Sequence, residues 1–181
     1  TQTGRNAHRG PNLGQVVSAP WARELFVPHP GMVMVGADLE GLELRALGHY
    51  LAVFDEGAFA EVVVNGDIHQ QNADRVGCTR KEVKTITYAF IYGAGDQKLG
   101  HSLSPELSDA AKKSLGSELR RKFLAAIPGL EPLIDAVKHK VRDQGRLRGL
   151  DGRPIFCTAE HASLNYLLQS CGAVLSKRWC V

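Results

Sequence analysis

The most tightly specified stretch of the chain lies between Thr79 and Gly95, and it specifies a helix. Thr79-Arg-Lys-Glu82 has the form of a capping box, in which the Thr side chain accepts from the backbone three residues on and the Glu reaches back. The helix is predicted to run to Tyr92 and to stop at Gly93-Ala-Gly95. Within it Arg80, Lys84, Tyr88 and Tyr92 recur every fourth residue and form one slowly drifting stripe ~18 Å long. Two cations and two phenols on one face suit a nucleoside triphosphate, because the charges can meet phosphates while a ring packs against sugar or base. The same spacing also describes a half-buried amphipathic helix with two solvated bases and two core tyrosines.

Around this helix the pattern is mostly helical. Residues 1–30 carry Gly4, Gly10, Pro11, Gly14, Pro20, Pro28 and Pro30, a spacing that forbids a long helix and predicts an extended arm. Met32 to Ala37 reads as a short buried strand, with a helix beginning just after Asp38. An acid at that junction is either a metal ligand or an N-cap. Ser108–Ala126, Pro132–Arg142 and His161–Trp179 carry helical spacing, while Asp151-Gly152 marks a hairpin turn whose second strand Pro154 restricts to an edge. The fold class expected is α+β and α-rich, with a small antiparallel sheet.

Composition excludes several classes. With 44% hydrophobic residues in 181, the chain can bury a core, so it is neither disordered nor collagen-like. No apolar run approaches the ~20 residues of a spanning helix and no leader opens the chain, so a soluble protein without a membrane partner is expected. Cys78, Cys157, Cys171 and Cys180 lie far apart with no Cys-x-x-Cys pair, which argues against zinc and a disulfide framework and for a reducing, cytoplasmic compartment. Because the first residue is Thr and Val181 follows an apolar run, the chain is expected to be cut from something longer. Charge is unevenly placed: Asp38–Asp67 holds seven acids against Arg45 alone, and Lys112–Arg148 holds ten bases against four acids. A cation-binding centre beside a polyanion track would look like this, as would two solvated helix faces.

Gly41-Leu-Glu-Leu-Arg45, Asn65-Gly-Asp-Ile-His69, Arg80-x-x-x-Lys84-x-x-x-Tyr88-x-x-x-Tyr92 and Tyr92-Gly-Ala-Gly-Asp96 occur in that order, flanked by Thr3-Gly-Arg5, Pro11-Asn-Leu13, Gly149-Leu-Asp-Gly-Arg153 and His161-x-x-x-Asn165-x-x-x-Gln169. Together they resemble the family A DNA polymerases, the group of bacterial DNA polymerase I, and among these the replicative polymerases of short-tailed phages. The resemblance implies fingers helices plus part of an antiparallel palm sheet: an arm and palm part over 1–64, fingers over 65–148, and a palm hairpin and helix over 149–181. It implies addition of deoxynucleoside triphosphates to a primer 3′-hydroxyl, with two Mg²⁺ ions in the complete enzyme, both of them touching Asp38, with the carbonyl of Leu39 beside it. His69, Arg80 and Lys84 match the triphosphate-holding side chains of the fingers. Glu43 matches the position that collides with a 2′-hydroxyl, Tyr88 the residue beneath the sugar, and Tyr92 the ring beside the templating base. Arg5, Asn12, His161, Asn165 and Gln169 match donors along the minor groove at the primer end, where acceptors common to every base pair allow shape to be tested without reading sequence.

The implied partners are primer-template DNA, deoxynucleoside triphosphates and the rest of the polymerase or a processivity factor, in a phage-infected bacterial cytoplasm. Leu39 and Glu40 depart from the family, whose phage members usually follow the aspartate with a small residue and then Ser or a similar residue. The third palm motif, a His-Asp-Glu supplying the second metal-binding aspartate, is absent from these residues, as are a thumb and an exonuclease. A silent fragment that binds DNA and nucleotide, or half of a split enzyme, is therefore the alternative expectation.

Overall fold

A computed structural model describes residues 1–180; Val181, one of the residues on which the expectation of a cut chain rests, lies outside them. The chain runs through α1 (Pro20–Arg23), α2 (Leu42–Asp55), α3 (Ala58–Asn65), α4 (Ile68–Val76), α5 (Arg80–Ile91), α6 (Asp96–Leu103), α7 (Asp109–Ala126), α8 (Leu130–Gln144), strands β1 (Arg146–Arg148) and β2 (Pro154–Phe156), and α9 (Ser163–Trp179). The α-rich α+β architecture with a small antiparallel sheet is as expected. α5 follows its local rules closely. Thr79 Oγ1 accepts from the Glu82 N–H at 3.2 Å, the Thr79 N–H donates to Glu82 Oε2 at 2.7 Å, and Gly93 at φ +75° ends the helix. Its buried face, Val83, Ile86, Thr87 and Phe90, is the one opposite the charged stripe, and Phe90 packs on Phe123 of α7 with ring centroids 4.9 Å apart. Leu47 and Leu51 of α2, Leu130 of α8, Ile155 of β2 and Leu168 of α9 are fully buried and join the helices and hairpin into one core.

α6 and α7 touch backbone to backbone. A Cβ added to Gly100 would collide with the carbonyl of Lys112, and one added to Gly116 would collide with the carbonyl of Asp96. Neither obstacle is a side chain that can swing aside. Gly116→Ala is therefore expected to destabilise the fold by about 1–3 kcal/mol or more, whereas Gly36→Ala, where nothing lies within 4 Å, should leave it unchanged. Chemical denaturation of the two variants checks this.

Three local expectations fail. Met32–Ala37 is not a strand: the segment is irregular, and Met32, Val33, Met34 and Val35 are all at least 60% exposed. An apolar run becomes a buried strand only beside a partner that takes its N–H and C=O groups, and among the described residues the one sheet is β1–β2. The helix does not begin after Asp38. It begins at Leu42 behind Gly41, whose φ of +59° breaks the helical run, and Arg45 Nε bonds the Glu40 carbonyl at 2.9 Å to tie that turn, so Asp38 is no N-cap. The last helix starts at Ser163 rather than His161, which sits in a 3₁₀ turn over Glu160–Ala162.

Candidate functional site

Residues of α2 to α5 line a cleft of about 430 Å³, among them His69, Arg80, Lys84 and Tyr88 together with Glu40 and Arg45. One carboxylate organises it. Asp67, the N-cap of α4, accepts from the N–H groups of His69 and Gln70 through Oδ1, each at 3.1 Å, and from Arg80 Nε through Oδ2 at 2.8 Å. It thus fixes both where α4 begins and where Arg80 stands. The Arg80 hydrogen bond, then the Gln70 N–H, hold its carboxyl below the usual carboxylate range. Both side chains are about half exposed, so water keeps the pair weak.

His69 is 9% exposed, its Nδ1 is buried without a partner, and its ring centroid lies 6.2 Å from that of Tyr88. Burial lowers its pKa, Arg80 and Lys84 lower it further, and Asp67 works the other way. Burial and the two cations thus favour the neutral imidazole. Counting Arg45, the cleft sets three cations against the carboxylates of Glu40 and Asp67, a balance that favours an anion.

The stripe divides at its end. Tyr92 lies outside this cleft, at the C-cap of α5, and its hydroxyl donates to Glu43 Oε1 at 3.0 Å. Burial, then the Glu43 charge, raise the phenol pKa of both Tyr92 and Tyr88. Glu43 also lines, with Arg5 and Gln169, a smaller cleft of about 180 Å³ between α2 and α9. His161 and Asn165 line a third, of about 580 Å³, with Arg120 and Lys138. The expected single row His161, Asn165, Gln169 is thus split between two clefts: the break falls within α9, between Asn165 and Gln169, while His161 in its 3₁₀ turn shares a cleft with Asn165. Asn165 Nδ2 donates to the Ile91 carbonyl at 3.2 Å, so α9 caps the last turn of α5.

Asn12 stands apart: it caps the 3₁₀ turn Leu13–Gln15 by accepting from the Gly14 N–H at 3.1 Å. Asp38 is exposed and Leu39 half-buried, and neither lines any of the three clefts, whereas Glu40 lines the first. Among the described residues no three His, Cys, Asp or Glu side chains group as a metal cage. Asp38 and the Leu39 carbonyl are nonetheless hard oxygen donors of the kind Mg²⁺ takes when substrate phosphates and water complete its shell, so the donor set fits that ion.

Two residues were not singled out from sequence. Asp67 sits where an N-cap is expected before Ile68, a readable signal. Arg120 gave none: its Nε donates to Asp96 Oδ1 and its guanidinium to the Ala94 carbonyl, both at 2.6 Å, with Phe90 beneath it at 5.4 Å, which ties the turn after α5 to α7.

Comparison with known proteins gives a consistent result. The family model described as DNA polymerase family A matches residues 1–181. The DNA-directed DNA polymerases of Escherichia phage T7 and Enterobacteria phage T3 are each 35% identical over 99% of this chain, which spans 29% of their length. Escherichia phage Phieco32 has a DNA-directed DNA polymerase 35% identical over 86% of the chain. Among solved structures, the POL domain of Pol1 from M. smegmatis, in complex with DNA primer-template and dNTP, superposes with a TM-score of 0.70 over 98% of this chain at 19% identity, a likeness of fold.

Proposed function

The chain belongs to DNA polymerase family A, and from that premise we propose that it forms the nucleotide-binding and primer-end part of a template-directed DNA polymerase. The convergence of His69, Arg80, Lys84 and Tyr88 on one cleft carries the reading. In the reaction the primer 3′-oxygen bonds to the α-phosphorus of a deoxynucleoside triphosphate, its proton passes to solvent, and the bond to the departing pyrophosphate breaks. Negative charge gathers on that pyrophosphate, and Arg80 and Lys84 are the fixed cations that meet it. His69 adds a hydrogen-bonding edge to the same cleft. Tyr88, next along the stripe, packs under the sugar. Asp38 and the Leu39 carbonyl would hold Mg²⁺, which lowers the pKa of a bound hydroxyl and screens phosphate charge.

Glu43, fixed by Tyr92, closes the space where a 2′-hydroxyl would sit. Glu43→Ala is expected to raise ribonucleotide incorporation relative to deoxynucleotide, as measured by paired single-nucleotide kinetics; an unchanged ratio removes that role. Arg5 and Gln169 beside Glu43, with His161 and Asn165 in the neighbouring cleft, present donors to the minor groove, and Asn12 belongs to the same set in this reading. Residues 65–148 then correspond to the fingers, and residues 1–64 and 149–181 to the arm and palm. The partners are primer-template DNA, deoxynucleoside triphosphates, and the rest of the polymerase or a processivity factor, in the cytoplasm of an infected bacterium.

Because Asp38 is the single carboxylate assigned to a metal within these residues, a second reading holds for the chain taken alone: it binds DNA and nucleotide without turning them over. Primer extension on templates offering each base in turn tests the proposal. The polymerase carrying this chain should add only the complementary nucleotide, and untemplated or absent addition would refute it.

A further inference from the structure

We propose that the outward face of the β1–β2 hairpin, with the adjoining end of α8, binds single-stranded nucleic acid at a site separate from the triphosphate cleft. Arg146 stands opposite Phe156, Leu147 opposite Ile155 and Arg148 opposite Pro154. Alternate residues of a strand face opposite sides. Leu147 and Ile155 turn into the core, 5% and 0% exposed, so Arg146, Arg148, Pro154 and Phe156 share the outer face. From α8, Lys140 and Gln144 join Arg146, Arg148, Gly152 and Pro154 in lining a cleft of about 300 Å³ that contains no carboxylate.

Of the neighbouring acids, Asp151 pairs with Arg153 and Glu160 with Arg142, both at 2.6 Å, and Asp143 Oδ2 lies 3.1 Å from His139 Nδ1. Lys140, Arg146 and Arg148 have no carboxylate partner among the described residues. Elsewhere in the basic stretch several charges are paired, Lys122 with Glu118 at 2.9 Å, Arg120 with Asp96 and Arg142 with Glu160. Three uncompensated cations along one groove mark a polyanion path.

The aromatic ring decides which polyanion. A single exposed Phe needs no explanation, but Phe156, 59% exposed, stands directly across from Arg146 on the same face. A paired duplex offers phosphates and leaves such a ring idle, and an acidic peptide likewise engages only the charges. An unpaired strand uses both, with phosphates on Lys140, Arg146 and Arg148 and a splayed base stacked on Phe156.

The test measures fluorescence anisotropy of the intact protein with labelled oligo(dT) of about 12 nucleotides, a duplex of equal length and an Asp/Glu-rich peptide. The triple variant Lys140→Gln, Arg146→Gln, Arg148→Gln should weaken oligo(dT) binding by about tenfold or more at low salt and reduce the salt slope by about 0.7 per lost phosphate contact. Phe156→Ala should weaken it about five- to a hundredfold and leave the slope unchanged. All four positions are exposed, so circular dichroism and thermal midpoints should match the parent. Photo-crosslinking with 5-iodouracil in the oligonucleotide should map to the peptide containing Phe156. The same losses should appear in an Arg80→Ala, Lys84→Ala background, which separates failure here from failure of the nucleotide cleft. Unchanged oligo(dT) affinity in both hairpin variants, or crosslinks only elsewhere, overturns the proposal. So does duplex binding as tight as single-strand binding and indifferent to Phe156. So does a peptide that binds more tightly than oligo(dT) and is released by the triple variant, which would make the face a protein-docking surface.

Discussion

Lys84→Ala is expected to lower kcat/KM for templated nucleotide incorporation roughly ten- to a hundredfold, the effect of losing one charge-assisted contact of about 1.5–3 kcal/mol. Arg80→Ala should cost more. Asp67 Oδ2 accepts from Arg80 at 2.8 Å, so removing the guanidinium leaves a bare carboxylate on the wall that faces the triphosphate. Asp67→Asn keeps an N-cap for α4, since Asn caps as well as Asp, and it discharges that wall. In the Arg80→Ala background Asp67→Asn should therefore recover part of the lost rate. Single-turnover incorporation on a primed template measures all four proteins; equal rates for the parent and both alanine variants would reduce the stripe to an amphipathic helix face.

The larger effect is expected at Asp38. Two closely spaced cations need carboxylates to offset their repulsion before a primer hydroxyl and a triphosphate are aligned, and Asp38 is the one such acid assigned within residues 1–181. By themselves these residues should show no primer extension with Mg²⁺ and deoxynucleoside triphosphates. Joined to the remainder of a related palm carrying His-Asp-Glu they should extend, and Asp38→Ala in the joined enzyme should abolish extension to background. Extension by the 181-residue chain alone, retained in Asp38→Ala and lost in Glu40→Ala, would assign the metal to Glu40, the acid that lines the cleft.

Elements whose ends are written in local chemistry were legible. The capping box at Thr79 and the glycine stop at Gly93 bound α5 within a residue of expectation, and α7 begins one residue after the expected Ser108, which caps it through the Ala111 N–H. The Asp151-Gly152 turn closed the hairpin in the expected place, with Gly152 at φ +84°. What failed depended on partners distant in sequence. The apolar run Met32–Ala37 looks the same whether or not a neighbouring strand accepts its hydrogen bonds, and nothing local announces that Gly41 rather than Asp38 ends the turn before α2. At the site, the four-residue spacing foretold that Arg80, Lys84 and Tyr88 share a wall. It could not foretell that Tyr92 would leave that wall for Glu43, 49 positions away, nor that Arg120 of α7 would hold the turn after α5.

The decisive measurement is the titration of His69 by NMR, without and with a deoxynucleoside triphosphate. In the free protein burial and the cations Arg80 and Lys84 depress its pKa, so its midpoint should lie below the ordinary imidazole value of about 6.5. A triphosphate seated on those cations adds negative charge beside the ring, which favours the protonated form, so the midpoint should move up. Inorganic tripolyphosphate should reproduce the rise, and Lys84→Ala should raise the free-protein midpoint while weakening the triphosphate's effect. A His69 midpoint that stays fixed at saturating triphosphate, while resonances elsewhere in the chain respond, would contradict the assignment of this cleft to the nucleotide.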